Sequence, residues 1–139
     1  MQKHVWITAA VVCTNILEEK DGSISLIRFA DKLTINTQNL PEGMAPAVPI
    51  DMFIAVRGDQ PGQHVLNLSL HSPSGQQGPI TQEIVAKVEG PERGFNIKTR
   101  LVMPADEEGM YLIDVLLDKE LFVRVPLQVV HQRENLTAE

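Results

Sequence analysis

From Gly109 onward the chain alternates. Tyr111, Ile113, Val115 and Leu117 fall on one side of an extended backbone, with Met110, Leu112, Asp114, Leu116 and Asp118 on the other. After Asp118-Lys119-Glu120 the alternation resumes, with Leu121, Val123, Val125, Leu127 and Val129 in one row and Phe122, Arg124, Pro126, Gln128 and Val130 in the other. A three-residue turn at 118–120 sets Leu117 opposite Leu121, Val115 opposite Val123, Ile113 opposite Val125 and Tyr111 opposite Leu127. On the other face the same register pairs Asp114 with Arg124 and Leu116 with Phe122, and cross-strand pairs of both kinds favour a sheet by tenths to about 1 kcal/mol. A two-residue turn at 118 and 119 would oppose Ile113 to Arg124 and Asp114 to Val123, mixing charge with core, and is rejected on that ground.

The same reading applied upstream gives more strands. Val5 to about Ile16 is apolar, small or β-branched. Asp21-Gly22 supplies a turn, and a second strand from about Ser23 to Ala30, continuing through Leu33 to Ile35, completes a long N-terminal hairpin. Residues 37–49 contain three prolines and a Glu-Gly turn, so they form an irregular crossing or loop. Ile50, Met52, Ile54 and Val56 alternate with Asp51, Phe53, Ala55 and Arg57, and Leu66, Leu68 and Leu70 alternate with Asn67, Ser69 and His71. Ile84, Ala86 and Val88 follow, then Phe95, Ile97, Thr99 and Leu101. With the last hairpin this makes about eight strands, and turns recur at the spacing of a β-sandwich.

At 139 residues the chain suits a single domain that buries roughly two-thirds of its unfolded surface. The division is an N-terminal hairpin at 5–35, a body at 48–131 and a frayed tail at 132–139. Nine glycines, nine prolines and many short blocks of Val, Ile and Leu favour an all-β fold. The net charge of −6, with scattered lysines and arginines, gives no electrostatic source of affinity for nucleic acid or anionic membrane. Cys13 cannot form an internal disulfide, and a reducing cytoplasm fits it best. The apolar run before Cys13 is short and ends in Val12, unlike a lipoprotein signal, and nothing else is long enough to span a bilayer.

No catalytic constellation is found, and the chain reads as a non-enzyme without cofactor or metal. His64 and His71 lie seven apart on one strand, hence on opposite faces, while His4 and His131 sit at ends. Asp106, Glu107 and Glu108 make an acidic loop, a common feature of solvated turns. There is no glycine-rich phosphate cradle and no nucleophile paired with a base. One tryptophan, one tyrosine and four phenylalanines offer few platforms for stacking sugars. That leaves a protein partner or a homodimer. The candidate surface is the apolar outward row Leu112, Leu116, Phe122, Pro126 and Val130 of the last hairpin, either an interface or covered by the N-terminal hairpin folding across it. The other class is a small-ligand or carbohydrate-binding module using the loops at 37–49 and 72–82.

The run Glu107-Glu108-Gly109-Met110-Tyr111-Leu112-Ile113 resembles the Asp-x-Gly-x-Tyr-x-Cys entry to a strand of immunoglobulin domains, with Glu for Asp and Ile for Cys. The resemblance implies an immunoglobulin-like antiparallel β-sandwich with Greek-key connections. In such domains the tyrosine hydroxyl bonds back to upstream backbone, the tyrosine corner. The resemblance gives Gly109 and Tyr111 structural roles, as the hairpin register gives them to Asp114 and Arg124. Asp21-Gly22, Ser25-Leu26-Ile27-Arg28, Glu108-Gly109-Met110-Tyr111 and Asp114-Val115-Leu116-Leu117-Asp118 together resemble a family of short uncharacterised bacterial proteins of one domain. That resemblance carries over no catalytic residue. Lys119 stands where the family pattern would favour glycine, so a left-handed turn is not expected there.

Overall fold

The computed structural model describes residues 4–38, 40, 43, 45–78 and 82–132. Nine strands are found among them: β1 (Val5–Glu18), β2 (Ile24–Phe29), β3 (Lys32–Asn36), β4 (Ala47–Gly58), β5 (Gly62–His71), β6 (Gln82–Val88), β7 (Phe95–Pro104), β8 (Gly109–Leu117) and β9 (Glu120–Gln132). They form a four-stranded sheet in the order β2-β1-β4-β7 and a five-stranded sheet in the order β3-β9-β8-β5-β6. Every pairing is antiparallel except that of β3 with β9. The alternating rows meet between the sheets. Met52, Ile54 and Val56 of β4, Leu66, Leu68 and Leu70 of β5, Tyr111, Ile113, Val115 and Leu117 of β8, and Leu127 and Val129 of β9 are all buried. Each such side chain contributes roughly 1.5–3 kcal/mol by leaving water.

The segment expected to run as one strand to Ile35 divides at Ala30-Asp31. Arg28 adopts a left-handed φ of 57°. Ala30 N then donates to Val12 O at 2.8 Å, and Asp31 O accepts from Gln128 N at 3.0 Å, which carries the chain across to the other sheet. Lys32–Asn36 there runs parallel to β9 with Leu33 opposite Val129. The N-terminal hairpin is therefore β1 and β2 alone.

The last hairpin keeps its central register but not its turn. Tyr111 faces Leu127, Ile113 faces Val125, Asp114 faces Arg124 and Val115 faces Val123, as the alternation requires. The ladder then shifts, and Leu116 pairs with Leu121 and Leu117 with Glu120. The turn is thus the two residues Asp118 and Lys119, both left-handed at φ 51° and 69°. A two-residue turn alone mispairs the faces, but Phe122 stands as the extra residue of a bulge, and that one residue restores the register beyond it. Lys119 takes the left-handed geometry that glycine would favour.

Glu107 N donates to the Tyr111 hydroxyl at 3.0 Å, so the corner tyrosine is bonded back to backbone four residues upstream. Gly109 takes a φ of 130° that L side chains rarely adopt, and an added Cβ would stand 3.0 Å from Pro73, a tight contact. Cys13 is a buried free cysteine, whose thiol is pushed up by burial first and by the nearby Asp51 carboxylate second.

Candidate interaction surface

The outward row of the last hairpin lies on the outer face of the five-stranded sheet. Leu112, Leu116 and Val130 are half-buried there and Pro126 is exposed. Phe122 does not belong to the row: the bulge turns it inward, where it packs against the core. Its place in the ladder is taken by Leu121, expected in the core and in fact 49% exposed. The N-terminal hairpin does not cover this face, because β1 and β2 belong to the opposite sheet.

Asp114 interrupts the row with charge. It is 5% exposed, and Arg124 clamps it through Nε to Oδ1 at 2.7 Å and Nη2 to Oδ2 at 3.0 Å. His71 Nε2 lies 3.0 Å from Oδ2. The Arg124 hydrogen bonds hold the Asp114 carboxyl below its ordinary range against the opposing effect of burial, and His71 adds to them. A face with a satisfied ionic cluster at its centre is weakly suited to a dry contact.

Nine large hydrophobic side chains are exposed among the described residues, and five of them, Trp6, Leu17, Leu26, Ile27 and Phe29, stand on β1 and β2. Phe29 is the most open at 66%. The register places Phe29 opposite Cys13, Ile27 opposite Asn15 and Ser25 opposite Leu17, so Leu17, Ile27 and Phe29 share one face. Leu26, opposite Ile16, lies on the other. β1 pairs with β4 only as far as Cys13–Asp51, and beyond that point the hairpin continues with β2 at its free edge. It is tied back by Glu18, whose carboxylate meets Lys98 Nζ at 2.9 Å. Ile16 borders a hollow of about 220 Å³ with Asp51, Lys98, Thr99 and Arg100. Sequence reasoning did not reach this surface, though Ile24-Ser25-Leu26-Ile27-Arg28-Phe29 carries a signal for it: apolar residues stand at both parities, so the strand has no polar face.

A second feature lies where the β5–β6 and β7–β8 loops meet. A hollow of about 290 Å³ is lined by Leu70, Gln77, Pro104, Asp106 and Tyr111 among others. The two loops are joined by Glu107, whose carboxylate accepts from Ser74 N at 3.0 Å and Ser74 Oγ at 2.9 Å. At the opposite end Asp118 accepts from Val65 N at 3.0 Å and meets His64 Nδ1 at 2.7 Å. Both strand histidines thus pair with aspartates, contacts that sequence spacing did not reveal. Among the described residues no three histidine, cysteine or acidic side chains gather as a metal group, and no helix is long and apolar enough to cross a membrane.

No family model matches the chain, and no curated protein matches its sequence. Among solved structures, an alkylpurine DNA glycosylase, AlkC, from Pseudomonas fluorescens, bound to DNA containing an abasic-site analogue, is similar over 93% of this chain and 31% of its own, with TM-score 0.50 and 8% identity. A β-glucosidase from Listeria innocua in complex with isofagomine is similar over 90% of this chain and 16% of its own, at 0.46 and 8% identity. One from Bifidobacterium adolescentis matches over 90% and 17%, at 0.46 and 6% identity. The chain spans less than a third of each of these proteins. The glycosylase likeness bears on fold alone, and the glucosidase likenesses carry no argument.

Proposed function

We propose that the protein is a non-catalytic interaction module that associates with protein through its N-terminal hairpin, in a homodimer or larger assembly. The observation that carries this reading is the exposure of Leu17, Ile27 and Phe29 on one face of the hairpin and of Leu26 on the other, beside the open edge of β2. Exposed apolar side chains grouped beside an open sheet edge mark interaction sites in soluble proteins. A cytoplasmic location fits the single buried thiol. The family of short bacterial proteins resembled in sequence stays part of this reading. So does an immunoglobulin-like Greek-key sandwich, supported by the bonded Tyr111 and by the neighbours β1-β4-β7 and β9-β8-β5-β6.

The test is solution mass by light scattering on the wild type, Phe29→Asp and Leu116→Arg, each checked for folding by circular dichroism. The reading expects a wild-type mass above the 15.4 kDa of one chain, a monomeric Phe29→Asp and an unchanged Leu116→Arg. A monomeric wild type across the accessible concentration range contradicts it.

A loop-borne small-ligand or carbohydrate site is the second reading, favoured by the hollow beside Gln77 and Asp106. It expects a thermal shift with some small polyhydroxylated compound that Asp106→Asn abolishes and Phe29→Asp leaves intact.

A further inference from the structure

The partner of the hairpin can be specified from its backbone, and we infer that β2 pairs antiparallel with β2 of a second copy about a two-fold axis at Leu26. This rests on the interaction reading above and names its occupant.

Hydrogen bonding fixes which groups are free. Glu19 N donates to Ser23 O at 2.7 Å, so hydrogen-bonded pairs of the hairpin fall at 19/23, 17/25 and 15/27, alternating with pairs that exchange no bonds. The N–H and C=O of Ile24 and Leu26 therefore point away from β1 to the open side of the sheet, where β2 is the terminal strand. A row of such groups at strand spacing is complementary to another extended backbone.

The other three terminal strands are guarded. β7 presents Lys98 and Arg100 on its outward row, β6 presents Glu83 and Lys87, and β3 is short, begins with Lys32 and carries Asn36 at its end. From Ile24 to Ile27, β2 has no charge and no proline. Arg28, at φ 57°, closes the regular stretch and limits how far a ladder can run.

Self-pairing follows from the register. With Leu26 on the axis, its outward N–H and C=O bond reciprocally to the partner's Leu26. Ser25 lies opposite the partner's Ile27, and Ile24 opposite the partner's Arg28, so no like charges are brought directly opposite. The pleat is respected, since odd residues meet odd and the faces carrying Ile27 and Phe29 become continuous across both copies. One two-fold contact satisfies both unguarded edges together, which a foreign peptide on one copy does not. The product is a continuous sheet in the order β7-β4-β1-β2-β2-β1-β4-β7, within the usual size of open sheets.

Single-cysteine cross-linking of the full chain tests the register. On the axis, Leu26→Cys brings two thiols to a Cα separation of about 5.5 Å, within disulfide reach. Oxidised glutathione accepts the two electrons and two protons and leaves as two reduced molecules. Ser23→Cys places its thiols roughly 20 Å apart along the strands, out of reach. Leu116→Cys reports on the outer face of the last hairpin, and the wild type controls for buried Cys13. An equimolar mixture of Ser25→Cys and Ile27→Cys gives a second measurement should Leu26→Cys fold poorly. The proposal expects covalent dimer from Leu26→Cys and from the mixture, at least tenfold above Ser23→Cys and Leu116→Cys. Covalent dimer at Leu116→Cys alone overturns β2 pairing while self-association stands. A monomeric wild type with no cross-link at any position overturns the pairing and self-association together.

Discussion

Single residues show what the fold asks of its few polar buried groups. The Tyr111 hydroxyl accepts Glu107 N, so Tyr111→Phe costs roughly 1 kcal/mol, measured by urea unfolding with the slope unchanged. A free hydroxyl would have made that substitution nearly neutral. Asp114 and Asp118 both titrate below the ordinary aspartate range. For Asp118 burial acts upward, but the His64 contact and the Val65 amide outweigh it. A carboxyl with a lowered folded value contributes stability fully present above its unfolded value of about 3.9 and lost as pH falls through the folded value. The wild type is therefore expected to lose stability below about pH 4. Asp114→Asn is expected to be less stable than wild type at pH 6 and closer to it at pH 3, measured as urea midpoints. A constant gap between the two pH values would mean that the carboxylate's charge plays no part.

At the level of elements, the last hairpin separates what alternation can settle from what it cannot. Cross-strand chemistry fixed the central register, because Asp114 has to find Arg124 and the apolar rows have to face the core. The turn was not legible, since a three-residue turn and a two-residue turn followed by a bulge give the same pairing upstream. The bulge reverses the side on which one residue lies, and for that reason Phe122 was placed outward and Leu121 inward. Lys119 at φ 69° carries a left-handed conformation at some cost, and Lys119→Gly should raise stability by about 0.5–1 kcal/mol after the entropy of glycine is deducted. Thermal unfolding monitored by circular dichroism checks this, and destabilisation would place the Lys119 side chain in a contact worth more than the strain. The division of β2 from β3 was hidden for a different reason. Leu33 and Ile35 continue the apolar alternation, and the parallel partner that claims them, β9, lies about a hundred residues further along the chain.

For the molecule as a whole, the two sheets bury their alternating rows against each other and leave two different outer faces. One has the Asp114–Arg124–His71 cluster at its centre. The other ends in a hairpin apolar on both sides and open along β2. Sequence pattern pointed to the first because its alternation is clean, whereas the second is recognised by the lack of alternation in β2 together with a sheet order that only the fold supplies. Amide hydrogen exchange of Ile24 and Leu26, resolved by residue and followed from low to high protein concentration, tests the central claim that this edge is where the protein associates. Their amides face solvent in a single copy and a neighbouring strand in the assembly, so their protection should rise with concentration while that of Met110 and Leu112 on the other sheet does not. Exchange of Ile24 and Leu26 that stays fast and independent of concentration would contradict the account.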